Sequence, residues 1–90
     1  MFTPLYTHQF KKDIERIQKR GKNLEKLKII IHSIIAEDIL DPLHRDHKFI
    51  GKWQGRRECH VESDWLLIYK IDEERVVFER TGKHSDLFRK

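Results

Sequence analysis

The sequence predicts a small α+β domain in which two helices precede a run of antiparallel strands. Two observations carry this. Apolar residues recur at three- and four-residue steps as far as Ile35, and the spacing turns strand-like beyond Pro42. The order β-α-α-β-β-β, with one further short strand, belongs to a helix-pair-on-sheet architecture.

A short extended start at Thr3 to Tyr6 is expected to supply an edge strand. Phe10, Ile14 and Ile17 then lay one apolar stripe along a first helix, with Thr7 placed to cap it. Gly21 follows Arg20 where that helix should stop, and Asn23 can cap the next, so the two helices meet at a tight turn. The second helix carries Leu24, Leu27, Ile31, Ile34 and Ile35 on one face, with Ile29 and Ile30 widening the stripe, and should end before Asp41-Pro42.

Arg56 to Val61, Trp65 to Ile71 and Arg75 to Thr81 read as strands, joined at Ser63-Asp64 and Asp72-Glu73-Glu74. His47 to Ile50 is expected to add a short strand or lead into one. Alternation places Arg56, Glu58 and His60 on one face of their strand and Arg57, Cys59 and Val61 on the other. The middle strand is apolar on both faces, as a central strand should be. The last alternates Val76, Phe78 and Arg80 against Val77, Glu79 and Thr81.

Ninety residues make one domain, 1–90. The net charge of +4 suits a polyanionic partner, and from Phe10 to Lys28 there are eight Lys or Arg against three Asp or Glu. A lone cysteine and an N-terminus without a signal-peptide pattern point to the cytoplasm, and no apolar stretch is long enough for a membrane anchor.

Six histidines are many for this length, and four of them, His44, His47, His60 and His84, lie in the second half. Zinc could be held by His44-x-x-His47 with His60, Cys59 or His84, but neither CxxC nor HExxH is present. A Cys59 nucleophile is disfavoured because its neighbours His60 and Glu58 face the other way. A histidine nuclease fits best. RNA carries its own nucleophile, the 2′-hydroxyl, so one imidazole can accept its proton and another, protonated, can donate to the leaving 5′-oxygen. An arginine such as Arg80 could hold the phosphate.

The stretch Asp46-His47 through Gly51-x-Trp53-x-Gly55, Arg57-Glu58-x-His60-Val61 and Asp64-Trp65 to Leu67-Ile68-Tyr69-Lys70, followed by Phe78-Glu79-Arg80-Thr81-Gly82-x-His84 and Leu87-Phe88, resembles the YafQ branch of the RelE superfamily of bacterial toxins. With the two helices, the resemblance covers nearly the whole chain. It implies a RelE-like fold, two helices packed on a curved, mainly antiparallel sheet of four or five strands. It also implies a metal-independent endoribonuclease, without a cofactor, that cuts ribosome-associated mRNA, is neutralised by a cognate antitoxin protein and meets DNA only through that antitoxin.

Matched by position, His47, His60, Asp64 and His84 are the expected catalytic set, with Glu58, Arg80 and Phe88 as substrate-binding groups. The resemblance suggests His60 as general base or its partner, His84 as general acid, and His47 and Asp64 as orienting or proton-shuttling groups. Phe88 can stack on a base, worth about 1–3 kcal/mol, or anchor the C-terminus. Gly51, Gly55 and Trp53 read as structural, the glycines allowing a bend and Trp53 packing over it. Glu58 stands at a position open to Asp in relatives, and Ser63 stands where Pro occurs in the familiar turn. Two further readings come from other classes: a non-catalytic RNA- or ribosome-binding module, and a DNA-binding regulator, which draws on charge alone.

Overall fold

The structure, a computed structural model, describes residues 1–48 and 55–88. Strand β1 (Thr3–Tyr6) leads into α1 (His8–Lys19) and α2 (Leu24–Ile35). A 3-10 turn (Pro42–His44) then precedes β2 (His47–Lys48), β3 (Arg57–Glu62), β4 (Trp65–Asp72), β5 (Arg75–Gly82) and the one-turn helix α3 (His84–Leu87). The five strands lie in the order β1-β5-β4-β3-β2, with β1 parallel to β5 and the other pairs antiparallel. Phe49, Ile50, Gly51 and Trp53 lie outside the described residues.

The helices form where the sequence places them because both caps are met locally. The Thr7 hydroxyl accepts the Phe10 N–H and the Asn23 carboxamide oxygen accepts the Glu25 N–H, each at 3.0 Å. Gly21, at φ +76°, takes the left-handed turn between them. The main core lies between the helices and one face of the sheet. Phe10, Ile17, Leu27, Ile30, Ile31 and Ile34 meet Cys59, Val61, Trp65, Leu67, Tyr69, Val76 and Phe78 there. Ile29 departs from the predicted stripe and is 64 % exposed, because it falls on the far side of the helix from Leu27 and Ile31. A smaller cluster of Leu66, Ile68 and Leu87, with Phe88 against it, lies on the opposite face of the sheet.

The face expected for Arg80 is corrected by an irregularity in β5. Tyr69 stands opposite Phe78 but Ile68 stands opposite Arg80, so Glu79 is an extra residue. Phe78 therefore stays on the helix side while Arg80 turns to the other face. Thr7 braces the bulge, its hydroxyl donating to the Glu79 carbonyl oxygen at 2.8 Å. The consequence is a row across four strands, with His47 opposite Glu58, Glu58 opposite Ile68 and Ile68 opposite Arg80.

Candidate active site

On the open face of the sheet, Glu58 and His60 project from β3 on the side away from the helices, as alternation requires. Both are largely buried at 9 % exposure. His47 reaches the same carboxylate from β2, so that the Nε2 atoms of His47 and His60 lie 3.5 and 3.6 Å from Glu58 Oε1. Ring centroids of His47 and His60 are 6.5 Å apart, those of His60 and His84 6.3 Å, and those of His84 and Phe88 5.9 Å. Four aromatic side chains thus form one line across the face.

Hydrogen bonding fixes which nitrogen of each histidine is available. The Nδ1–H of His47 donates to the Arg45 carbonyl, and that of His60 to the Ser63 carbonyl at 3.3 Å. A carbonyl oxygen only accepts, so Nδ1 must carry the proton in both rings. The Nδ1–H of His84 donates to Asp64 Oδ1 at 2.9 Å, and the His84 backbone N–H donates to the same oxygen at 3.2 Å. Those two bonds hold the Asp64 carboxyl below its ordinary range. In all three rings Nδ1 is thus committed, and Nε2 is the remaining nitrogen, lying beside Glu58 in His47 and His60. Beside Glu58, a neutral ring offers a lone pair there and a protonated ring an N–H that the carboxylate can accept.

The supporting contacts are tertiary. His44 Nδ1–H donates to the His60 carbonyl at 2.8 Å, and Asp46 Oδ1 accepts from the Tyr69 hydroxyl at 2.7 Å while Arg57 pairs with the same carboxylate. Asp46 thereby ties the chain just before His47 to the inner side of the sheet. At the other end Arg20 makes a two-point contact with Asp86, at 2.7 and 3.0 Å, and Asp86 also accepts the Lys83 N–H at 3.0 Å. This holds α3, and with it His84 and Phe88, against the end of α1. Gly82 fits this closure. It has φ +151°, and a Cβ there would stand 3.1 Å from Asp86 Oδ2.

All seven residues proposed from the sequence are therefore on the open side of the sheet or at its rim. His47, Glu58, His60, Asp64 and His84 are linked by contacts; Arg80 lies two strands from Glu58 in the same row, beyond Ile68. Phe88 faces His84 and also packs on the Leu66–Ile68–Leu87 cluster, the anchoring contact weighed for it. Arg56, expected beside Glu58, instead pairs with Glu79. Sequence reasoning gave no supporting role to Asp13, Arg20, His44, Asp46 or Asp86, although it weighed His44 as a zinc ligand and quoted Asp46 at the start of the motif. Asp13 left a signal in the helical period, since a carboxylate three residues after Phe10 and four before Ile17 falls on the buried stripe of α1.

Cys59 is fully buried, and burial pushes its thiol well above the ordinary value, so the side chain is an inert core group. Among the described residues no three His, Cys, Asp or Glu side chains are gathered to hold a metal. No described helix is long and apolar enough to cross a membrane. A cleft of about 350 Å³ opens beside His60, with Leu43, His44, Arg45 and Lys26 among its walls.

A helix pair packed on one face of a five-stranded mixed sheet is a RelE-like toxin fold. A model of the YafQ family, described as bacterial toxins of type II toxin-antitoxin systems, matches residues 2–89, and the chain belongs to that family. It is 43 % identical to the mRNA interferase toxin YafQ of Escherichia coli K12, over 92 % of this chain and 91 % of the relative. The crystal structure of the E. coli DinJ-YafQ complex contains a chain that superposes with a TM-score of 0.91 at 40 % identity, covering 98 % of this chain and 99 % of the other. A metal-bound toxin from Helicobacter pylori superposes at 0.92 with 34 % identity, covering 98 % and 100 %.

Proposed function

We propose that this toxin is an endoribonuclease of the mRNA interferase type that cleaves RNA by attack of the 2′-hydroxyl on the adjacent phosphate, with histidines moving both protons. The observation that carries the reading is the line His47–His60–His84, each ring with Nδ1 committed and Nε2 left over. In this reading Nε2 of His60 takes the 2′-hydroxyl proton. The 2′-oxygen bonds to phosphorus, the P–O5′ bond breaks, and His84, protonated, gives its Nε2 proton to the departing 5′-oxygen. The products are a 2′,3′-cyclic phosphate and a 5′-hydroxyl, and the two protons balance.

Glu58 balances charge between His47 and His60, Asp64 orients His84, and Arg80 faces the non-bridging phosphate oxygens. Phe88, in contact with His84, offers a ring on which a flanking base can stack. Positioned acid and base are each worth about 10²–10⁴ in rate. No step of this scheme needs a metal or a cofactor.

The substrate is mRNA engaged on the ribosome, and the partner that silences the toxin is a cognate antitoxin protein, as in the E. coli DinJ-YafQ complex. Contact with DNA comes through that antitoxin. The test incubates the purified toxin with an mRNA on translating ribosomes in magnesium buffer and, separately, with the free RNA in chelator, each beside the same RNA 2′-deoxy-substituted at the cut site. The expected result is cleavage of the ribo substrate alone, leaving the cyclic end. Cleavage of the deoxy substrate, or cleavage of the free RNA in magnesium that chelator abolishes, would sink the mechanism.

A further inference from the structure

Asp13 lies on α1, which packs on the helix side of the sheet, yet its carboxylate reaches Arg80, which β5 turns to the open face. It is fully buried, and it accepts from Arg80 Nε at 2.8 Å, Arg80 Nη2 at 3.2 Å, the Thr81 backbone N–H at 3.1 Å and Gln9 Nε2 at 3.4 Å. Arg16 Nη1 is a further 3.5 Å away. The contact is possible because β1 pairs with β5 only as far as Phe78, which leaves the β5 edge open at Arg80 and Thr81. Asp13 occupies that edge in place of a strand.

We propose that Asp13 is a positioning residue for the cleavage reaction, gripping Arg80 side-on so that its guanidinium is fixed in plane and direction beside the scissile phosphate. The inference rests on the ribonuclease reading above. A guanidinium has five N–H groups, and the grip uses two. The other three have no partner among the described residues and remain for phosphate oxygens. A free arginine would have to give up rotamer freedom when it met the substrate, whereas one already held by a buried carboxylate does not. The bulge at Glu79 turns Arg80 to the substrate face, and Asp13 then sets its angle. Thr81 closes the unit. Its N–H is held by Asp13, and its hydroxyl donates to the Leu66 carbonyl at 2.7 Å and accepts the Trp65 indole N–H at 2.9 Å.

The test is a double-mutant cycle on RNA cleavage with Asp13→Asn, Arg80→Ala and the pair, alongside the Arg80 Nε–H resonance in ¹H–¹⁵N spectra. Asp13→Asn is expected to lower kcat about 10–100-fold, the order a misplacement of about 1 Å costs, with a smaller change in KM. In the Arg80→Ala background it should cost less than about 2-fold, since interacting residues do not add. The Arg80 Nε–H signal is expected to exchange slowly in the wild type, where Asp13 accepts it, and to broaden or vanish in Asp13→Asn while core amides stay in place. Equal losses from Asp13→Asn in both backgrounds would overturn the proposal. If Arg80→Ala itself cleaves at the wild-type rate, the role given to Arg80 fails and the proposal falls with it; if Arg80→Ala is impaired but Asp13→Asn is not, only the role of Asp13 fails. Should Asp13→Asn not fold, Arg80→Lys decides. It keeps the charge beside Asp13 without the two-point grip, is expected to lose activity like Arg80→Ala, and full activity there would overturn the proposal.

Discussion

One oxygen of Asp64, Oδ1, accepts both the ring Nδ1–H and the backbone N–H of His84. The bond to the ring fixes the tautomer, and the bond to the backbone fixes where the ring begins. His84→Ala should lower kcat/KM for RNA about 10²–10⁴-fold, the worth of a positioned proton donor. Asp64→Asn keeps the shape but can present an amide N–H to Nδ1, which favours the wrong tautomer, so a loss on the order of 10-fold or more is expected. Steady-state cleavage by the two variants checks both, and an Asp64→Asn enzyme as fast as wild type would remove Asp64 from the mechanism.

His47 and His60 share Glu58 Oε1, so their effects should not add. His60→Ala is expected to be the larger single loss, and His47→Ala should cost less once His60 or Glu58 has gone. A coupling on the order of 0.5–3 kcal/mol between His47→Ala and Glu58→Gln, from the rates of the two single variants and the double, is the expected outcome. Simple additivity would mean that the three side chains act separately.

Acid should loosen α3 before the rest of the domain. Arg20 holds the Asp86 carboxyl down to about 2, with help from the Lys83 N–H. A depressed folded value contributes stability that is complete above the unfolded value near 4 and is lost as pH falls from there towards 2. Asp86→Asn should therefore melt below the wild type at pH 6, and the gap should narrow steadily between pH 4 and pH 2. Thermal melts across that range, with Arg20→Gln as a second arm, test it; a gap independent of pH would show that the charge of Asp86 contributes nothing.

Thr81 is fully buried, and its hydroxyl is the acceptor for the indole of Trp65. Thr81→Val preserves the shape but leaves that buried N–H and the Leu66 carbonyl without the hydroxyl. The expected cost is about 1–3 kcal/mol in urea unfolding, the penalty for a buried polar group left unpaired. A midpoint unchanged from wild type would mean that water or a rotated side chain replaces the bond.

Much of this architecture is legible in the sequence because it depends on neighbours along the chain. The stripe Phe10–Ile17, the caps Thr7 and Asn23, and the alternation that separates Glu58 and His60 from Cys59 all follow from periods of 3.6 and 2. The β1–β5 pairing was legible only as an edge strand, since its partner lies some seventy residues away. Ile29 was placed on the core face because helical stripes blur at their margins; packing against the sheet selected Ile30 and Ile31 instead.

By itself, then, the sequence determined the two main helices and the strands, though neither the 3-10 turn nor α3, together with the side of β3 on which the proposed chemistry sits and, through its motif, the family. The tertiary structure alone decided how the side chains are held. Whether Arg80 faces the helices or the open side depends on a one-residue bulge at Glu79, set by strand register and by the Thr7 hydroxyl rather than by local propensity. The pairs Asp13–Arg80 and Arg20–Asp86 join residues 67 and 66 positions apart. Hydrogen bonds of a few ångströms between such distant positions exist only once helices and sheet have packed, which is why the histidines can be read from the chain and their supports cannot.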